Sequence, residues 1–125
     1  MNTYLAIAVG GAFGAMSRYW ISQSVERLNG SGFPLGTFTV NLLGSFLIGV
    51  LFILFAEKLQ IAEQWRPLFI VGFLGAMTTF STFSLDALLL FQQGHYNTAL
   101  FYIFSSVVAC LFAAYMGIQF TRILL

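Results

Sequence analysis

Five hydroxyl side chains, Thr78, Thr79, Ser81, Thr82 and Ser84, fall within seven consecutive residues, with Phe80 and Phe83 between them and Gly75 just ahead. Such a set offers neutral hydrogen-bond donors and acceptors and no charge, which suits holding or passing an ion or small polar solute better than acid–base chemistry. Serine as a nucleophile needs a base beside it, and His95 stands in the turn-forming run 93–97, so hydrolysis is disfavoured. Thr and Ser are mediocre helix formers whose hydroxyls compete for backbone hydrogen bonds. With a glycine ahead of them they predict a helix broken near residues 75–79. The surrounding segment is otherwise apolar, and irregular backbone at membrane depth survives only where protein buries it or water reaches it.

Other polar residues fall at helical spacing. Thr37, Asn41 and Ser45 stand at i, i+4 and i+8, and so do Tyr102, Ser106 and Cys110. Each trio shares one helix face. An amide such as Asn41 in hydrocarbon must find partners, either by gluing helices together or by lining a polar path. Three segments with one-sided polar stripes favour a shared path. Arg18 supports two readings: a side chain snorkelling to the interface beside Tyr19 and Trp20, or a cation at the mouth of an anion path. Asp86 lies just past the expected break, and an intramembrane carboxylate is a functional candidate.

The elements that must position these residues are dictated by composition. The chain has 125 residues, 59% hydrophobic and 7% charged, with mean hydropathy +0.90. A soluble domain carries about 25% charged residues. Crossing a bilayer takes roughly 20 apolar residues, so four transmembrane helices use nearly the whole chain, at about 3–25, 37–56, 67–93 (broken) and 98–123, as one all-α integral membrane domain over 1–125. The N-terminus lacks the basic region of a cleaved signal peptide, so the first apolar run is expected to stay as a span. Loops are expected at 26–36 and 57–66, where Gly, Pro and charged residues concentrate, and at 93–97. Gly10 with Gly14, and Ala109, Ala113 and Gly117, form small-residue stripes suited to close helix packing in lipid. A formal net charge of +1 gives no basic field for nucleic acid. A single cysteine, Cys110, excludes an intrachain disulfide.

With four spans, Lys58, Arg66 and Arg122 share one side, against Arg27 and Arg18 on the other. Three basic residues against two is a weak orientation signal. Insertion in both directions is therefore expected, which makes an antiparallel, dual-topology homodimer available.

Three motifs then resemble the Fluc (CrcB-type) fluoride channels: Gly75-x-x-Thr78-Thr79-Phe80-Ser81-Thr82-Phe83-Ser84, Gly36-Thr37-x-x-Val40-Asn41-x-x-Gly44-Ser45-x-x-x-Gly49, and Gly10-Gly11-x-x-Gly14-x-x-x-Arg18-Tyr19. The likeness covers essentially the full chain. It implies passive export of fluoride across a bacterial plasma (inner) membrane by a multi-pass antiparallel dimer with two pores. It implies a central structural sodium ion held by the backbone carbonyls of Gly75 and Thr78. Phe80 and Phe83 match the family's pore phenylalanines, Asn41 its pore asparagine and Tyr102 its pore tyrosine; Ser81, Thr82 and Ser84 supply neutral donors. Arg18, Ser106 and Cys110 fall in the vestibule by the same correspondence, with a thiol at Cys110 where the family pattern has a serine. The physics agrees, because an aromatic ring has a positive edge that attracts an anion less tenaciously than a full cation does. The competing reading is a small proton-coupled multidrug transporter, for which Asp86 is the one carboxylate available within a span.

Overall fold

Asn2 starts the first helix. Its side chain accepts hydrogen bonds from the N–H groups of Tyr4 (2.8 Å) and Leu5 (3.2 Å), satisfying donors that a helix N-terminus leaves unpaired. The computed structural model describes residues 2–58 and 62–125. It runs from there as α1 (Thr3–Leu28), α2 (Leu35–Ile53, extended by a wide π-type turn Leu54–Lys58), α3 (Pro67–Leu74 carried on by Gly75–Met77), α4 (Phe80–Gln92) and α5 (Tyr96–Leu124). A short 3-10 turn, Glu63–Trp65, precedes α3, and no strand occurs among the described residues.

Three segments, Leu35–Lys58, Glu63–Gln92 and Tyr96–Leu124, are long and apolar enough to cross a membrane. α1 is 26 residues long, hence roughly 39 Å at 1.5 Å per residue, but Ser17, Arg18, Ser22 and Gln23 dilute its apolarity. The helices outrun the sequence boundaries at both ends: α1 continues through Glu26–Leu28 and α2 through Glu57 and Lys58, which the sequence places in loops. Of the expected 57–66 loop, residues 59–61 lie outside the described residues. Helix persists through Gly75–Met77, so the irregular backbone is confined to Thr78 and Thr79, later than the glycine suggests. Gly75 costs a helix only about 1 kcal/mol, too little to stop it against a packed neighbour.

Two crossings hold the bundle. α1 lies against α3, where a Cβ on Gly10 would strike the Leu68 carbonyl and one on Gly14 the Phe73 carbonyl. α2 lies against α5, where a Cβ on Gly49 would strike the Ala114 carbonyl and one on Gly117 the Phe46 carbonyl. In lipid no hydrophobic drive pulls helices together, so backbone-to-backbone approach at missing side chains supplies the packing. Gly117→Val is therefore expected to force α2 and α5 apart at a cost of at least 1–3 kcal/mol, roughly the overpacking range. The check is the thermal unfolding midpoint in detergent; an unchanged midpoint would mean the crossing is not tight.

The best-buried side chains between α4 and α5 are Phe83, Ala87, Leu90, Ala99 and Tyr102. Phe33, from the loop before α2, stands edge-on to Tyr102 at 5.3 Å and 88°. The outer surface is apolar, with Tyr4, Tyr19, Trp20, Phe104, Val108, Leu111 and Phe112 exposed, as expected of a surface whose solvent is lipid.

Candidate ion site at the helix break

The backbone at Thr78 (φ −91°, ψ 156°) and Thr79 (φ −153°, ψ 117°) is extended, so the polar groups on either side must find partners outside the helical pattern. Leu74 O accepts from both Thr78 N–H (3.0 Å) and Thr78 Oγ1 (2.9 Å). Thr79 is gripped from α2: its N–H donates to Asn41 Oδ1 (2.8 Å) and its carbonyl accepts from Asn41 Nδ2 (3.0 Å). One side-chain amide thus pairs with both backbone groups of an extended residue, as a neighbouring strand would. From α1, Arg18 Nε donates to Ala76 O at 3.0 Å, placing a cation where the carbonyl end of α3 concentrates partial negative charge. Thr79 then caps α4, its Oγ1 accepting from Thr82 N–H at 3.1 Å.

These diversions have a consequence for two carbonyls. In an unbroken helix Thr79 N–H would bond Gly75 O and Thr82 N–H would bond Thr78 O. Here Asn41 takes the first donor and Thr79 Oγ1 takes the second. Gly75 O and Thr78 O are thereby released from helical duty. Gly44, one turn from Asn41 on α2, makes the approach possible, because the Thr78 methyl occupies the space a Cβ there would need.

The break opens into a cleft of about 500 Å³ whose lining includes Asn41, Ser45, Gly75, Thr78, Thr79, Phe80, Phe83, Ser106 and Cys110. No charged side chain lines it among the described residues. Phe80 and Phe83 are 5.3 Å apart at 48°. Phe80 is 76% exposed on the open side, whereas Phe83 is 8% exposed and packed on Tyr102 at 5.1 Å. Ser106 Oγ is buried with no hydrogen-bond partner, a costly state unless something in the cleft satisfies it.

The remaining sequence candidates adjoin this cleft without being among its lining residues. Ser84 Oγ donates back to Phe80 O at 2.9 Å. Thr82 Oγ1 accepts from Thr79 Oγ1 at 3.2 Å, and Ser81 Oγ lies 3.2 Å from the same Thr79 oxygen. Tyr102 is fully buried and its OH donates to Asp86 Oδ2 at 3.2 Å. Asp86 lines a second, polar pocket of about 330 Å³ with Thr37, Glu26, Ser22 and Gln93. Phe83 against Tyr102, and Tyr102 against Asp86, therefore form the contact chain between the two spaces. Arg18 reaches the break itself, a position neither of its two sequence readings includes. The sequence counts Thr79 among the five hydroxyls but assigns it no separate role; its position immediately before an apolar helical run is the signal of an N-cap.

Residues 5–118 match the family model described as CrcB-like protein, Camphor Resistance (CrcB). A protein of Magnetococcus marinus named "Fluoride-specific ion channel FluC" is 50% identical over 118 residues, 94% of this chain and 96% of the relative. A Hahella chejuensis protein of the same name is 52% identical over 119 residues, 95% of this chain and 94% of the relative. One from Pseudoalteromonas translucida is 50% identical over 113 residues, 90% of this chain and 94% of the relative.

Proposed function

The chain belongs to the CrcB-like family, and from that premise we propose that it is a fluoride-selective channel through which fluoride leaves the cytoplasm passively. It is a multi-pass bacterial membrane protein and not an enzyme. In this proposal α1 is the fourth span, α3 and α4 together form one broken span, and two copies assemble antiparallel with two pores. The observation that carries the channel reading is the cleft at the break, where aromatic rings and an unpartnered buried hydroxyl meet and no charged side chain lines the wall among the described residues.

The chemistry follows from that wall. Fluoride is small and strongly hydrated, so a path must offer donors in place of water. Ser106 Oγ has its proton unspent, and Asn41 keeps the second N–H of its amide beyond the one given to Thr79. Ring edges of Phe80 and Phe83 add positive potential without a full charge. Conduction needs binding favourable enough to enter and weak enough to leave, and neutral donors meet both requirements. Phe80, largely exposed in one protomer, supports a second copy completing the path.

The released carbonyls of Gly75 and Thr78 fit a hard cation, which prefers oxygen ligands. Both would contribute from each protomer of an antiparallel pair. A sodium ion bound there would supply positive potential that favours an anion nearby. Arg18 and Asn41 hold the backbone that presents the carbonyls.

The test is efflux from liposomes containing the purified protein. Fluoride should leave down its gradient without a proton gradient, while chloride efflux stays at the level of empty vesicles. Equal fluoride and chloride efflux would overturn the selectivity, and proton-driven exchange of cationic dyes would replace the channel with a transporter.

A further inference from the structure

We infer that Asn41 and Thr79 are positioning residues for the cation: their side chains take the two N–H groups that would otherwise occupy Gly75 O and Thr78 O. The inference rests on the sodium reading above and deepens it. The pair of diversions is specific. Asn41 Oδ1 holds Thr79 N–H at 2.8 Å, while Asn41 Nδ2 fixes the opposite face of the same residue through Thr79 O at 3.0 Å. With both groups of Thr79 held, the peptide cannot rotate back to return its N–H to Gly75 O. Thr79 Oγ1 in turn holds Thr82 N–H at 3.1 Å, keeping Thr78 O clear. Removal of either acceptor leaves an N–H without its partner while the carbonyl it would bond in a continuous helix is also free of helical duty. The cheapest repair is the helical hydrogen bond itself, since a buried orphan donor costs more than a bond is worth. Every such repair consumes an oxygen that the ion needs. Asn41 therefore acts on the cation site through the backbone, in addition to any contact with the anion.

The experiment uses the full-length protein, with sodium as the probe and choline as the replacement cation. Two midpoints are read: the sodium concentration that half-maximally raises the thermal unfolding temperature, and the one that half-maximally supports fluoride efflux. In Asn41→Ala and Thr79→Val both should move to about tenfold higher sodium, the shift expected when a bond of ordinary strength must be broken before the ion binds. Thr79→Ser keeps the oxygen and should stay within about twofold of the unmodified protein. Phe80→Ile, outside the carbonyl network, should leave the unfolding midpoint for sodium in place. If Asn41→Ala does not purify folded, the Thr79→Val and Thr79→Ser pair carries the comparison. Unchanged sodium midpoints in Asn41→Ala and Thr79→Val, whatever their efflux, would overturn the inference and leave these side chains acting on the anion alone. Absence of any sodium response in the unmodified protein would instead remove the ion, and this inference with it, while its fluoride efflux would still stand.

Discussion

Phe80→Ile and Phe83→Ile each lower fluoride efflux several-fold and up to about tenfold, since loss of an aromatic edge removes interaction on the scale of an aromatic contact, about 0.5–1.5 kcal/mol beyond bulk. Isoleucine keeps most of the volume and the apolarity, so packing alone predicts survival of function. The two positions separate the effects cleanly. Phe80 is 76% exposed in the single chain, so its replacement costs that chain's fold little. Phe83 is 8% exposed and stacked on Tyr102 at 5.1 Å, so its replacement adds a packing loss of up to about 1.5 kcal/mol. Thermal stability should therefore fall for Phe83→Ile and scarcely for Phe80→Ile, while efflux falls in both. The measurements are fluoride efflux from liposomes, elution volume and unfolding midpoint on the same preparations. Normal efflux from folded preparations of both variants would make the rings scaffold and move the path to the Asn41 and Ser106 side of the cleft.

Fixing the insertion direction abolishes flux, and supplying the opposite orientation restores it. Lys58, Arg66 and Arg122 are opposed by Arg27 and Arg18, three against two, and orientation follows the basic residues near short loops irrespective of their ion pairing. The bonds of Arg122 to Glu57 (2.7 Å) and Arg66 to Glu63 (3.2 Å) therefore do not alter that balance. Gly30 and Gly32 in the first loop have nothing within 4 Å of an added Cβ, so Gly30→Lys with Gly32→Lys adds charge without disturbing the fold. Lys58→Gln with Arg66→Gln in the same chain removes it from the opposite side, leaving four basic residues against one. In a second chain, Ala62→Lys with Gln64→Lys, at exposed positions, adds it to the other side. Each substituted chain expressed alone should insert one way and give efflux near that of empty cells. Coexpression of the two should recover most of the flux, because an antiparallel pair needs one chain of each direction. Full efflux from either locked chain alone would rule out the antiparallel assembly.

Much of the architecture was legible because it follows from chain-local physics. Low charge and long apolar runs leave membrane spans as the one way to bury the surface, and Thr-Thr ahead of Phe80 disfavours a continuous helix by its own hydroxyl chemistry. The small-residue stripes were legible too, since Gly10, Gly14 and Gly117 announce close approach wherever a partner helix lies. Less legible were the ends. α1 and α2 run past their apolar stretches because a helix continues into polar sequence until something offers its last carbonyls better partners.

What the sequence by itself determined was the inventory: apolar spans, a hydroxyl-rich interruption near Gly75, two phenylalanines one turn apart and polar stripes at Asn41 and Ser106. What only the tertiary structure decided was which group spends its hydrogen bonds on which. Asn41 lies 38 positions from Thr79, and Arg18 lies 58 from Ala76. No periodicity within either helix reveals such pairings. They exist because Gly44 lets Thr78 approach α2 and because Gly10 and Gly14 bring α1 onto α3. The same packing leaves Ser106 unpartnered in the cleft while Ser84, one of five hydroxyls that look alike in the sequence, gives its proton to Phe80 O. A hydroxyl's chemistry is fixed by its residue type, but its availability is fixed by the nearest competing backbone, and that is set by the fold.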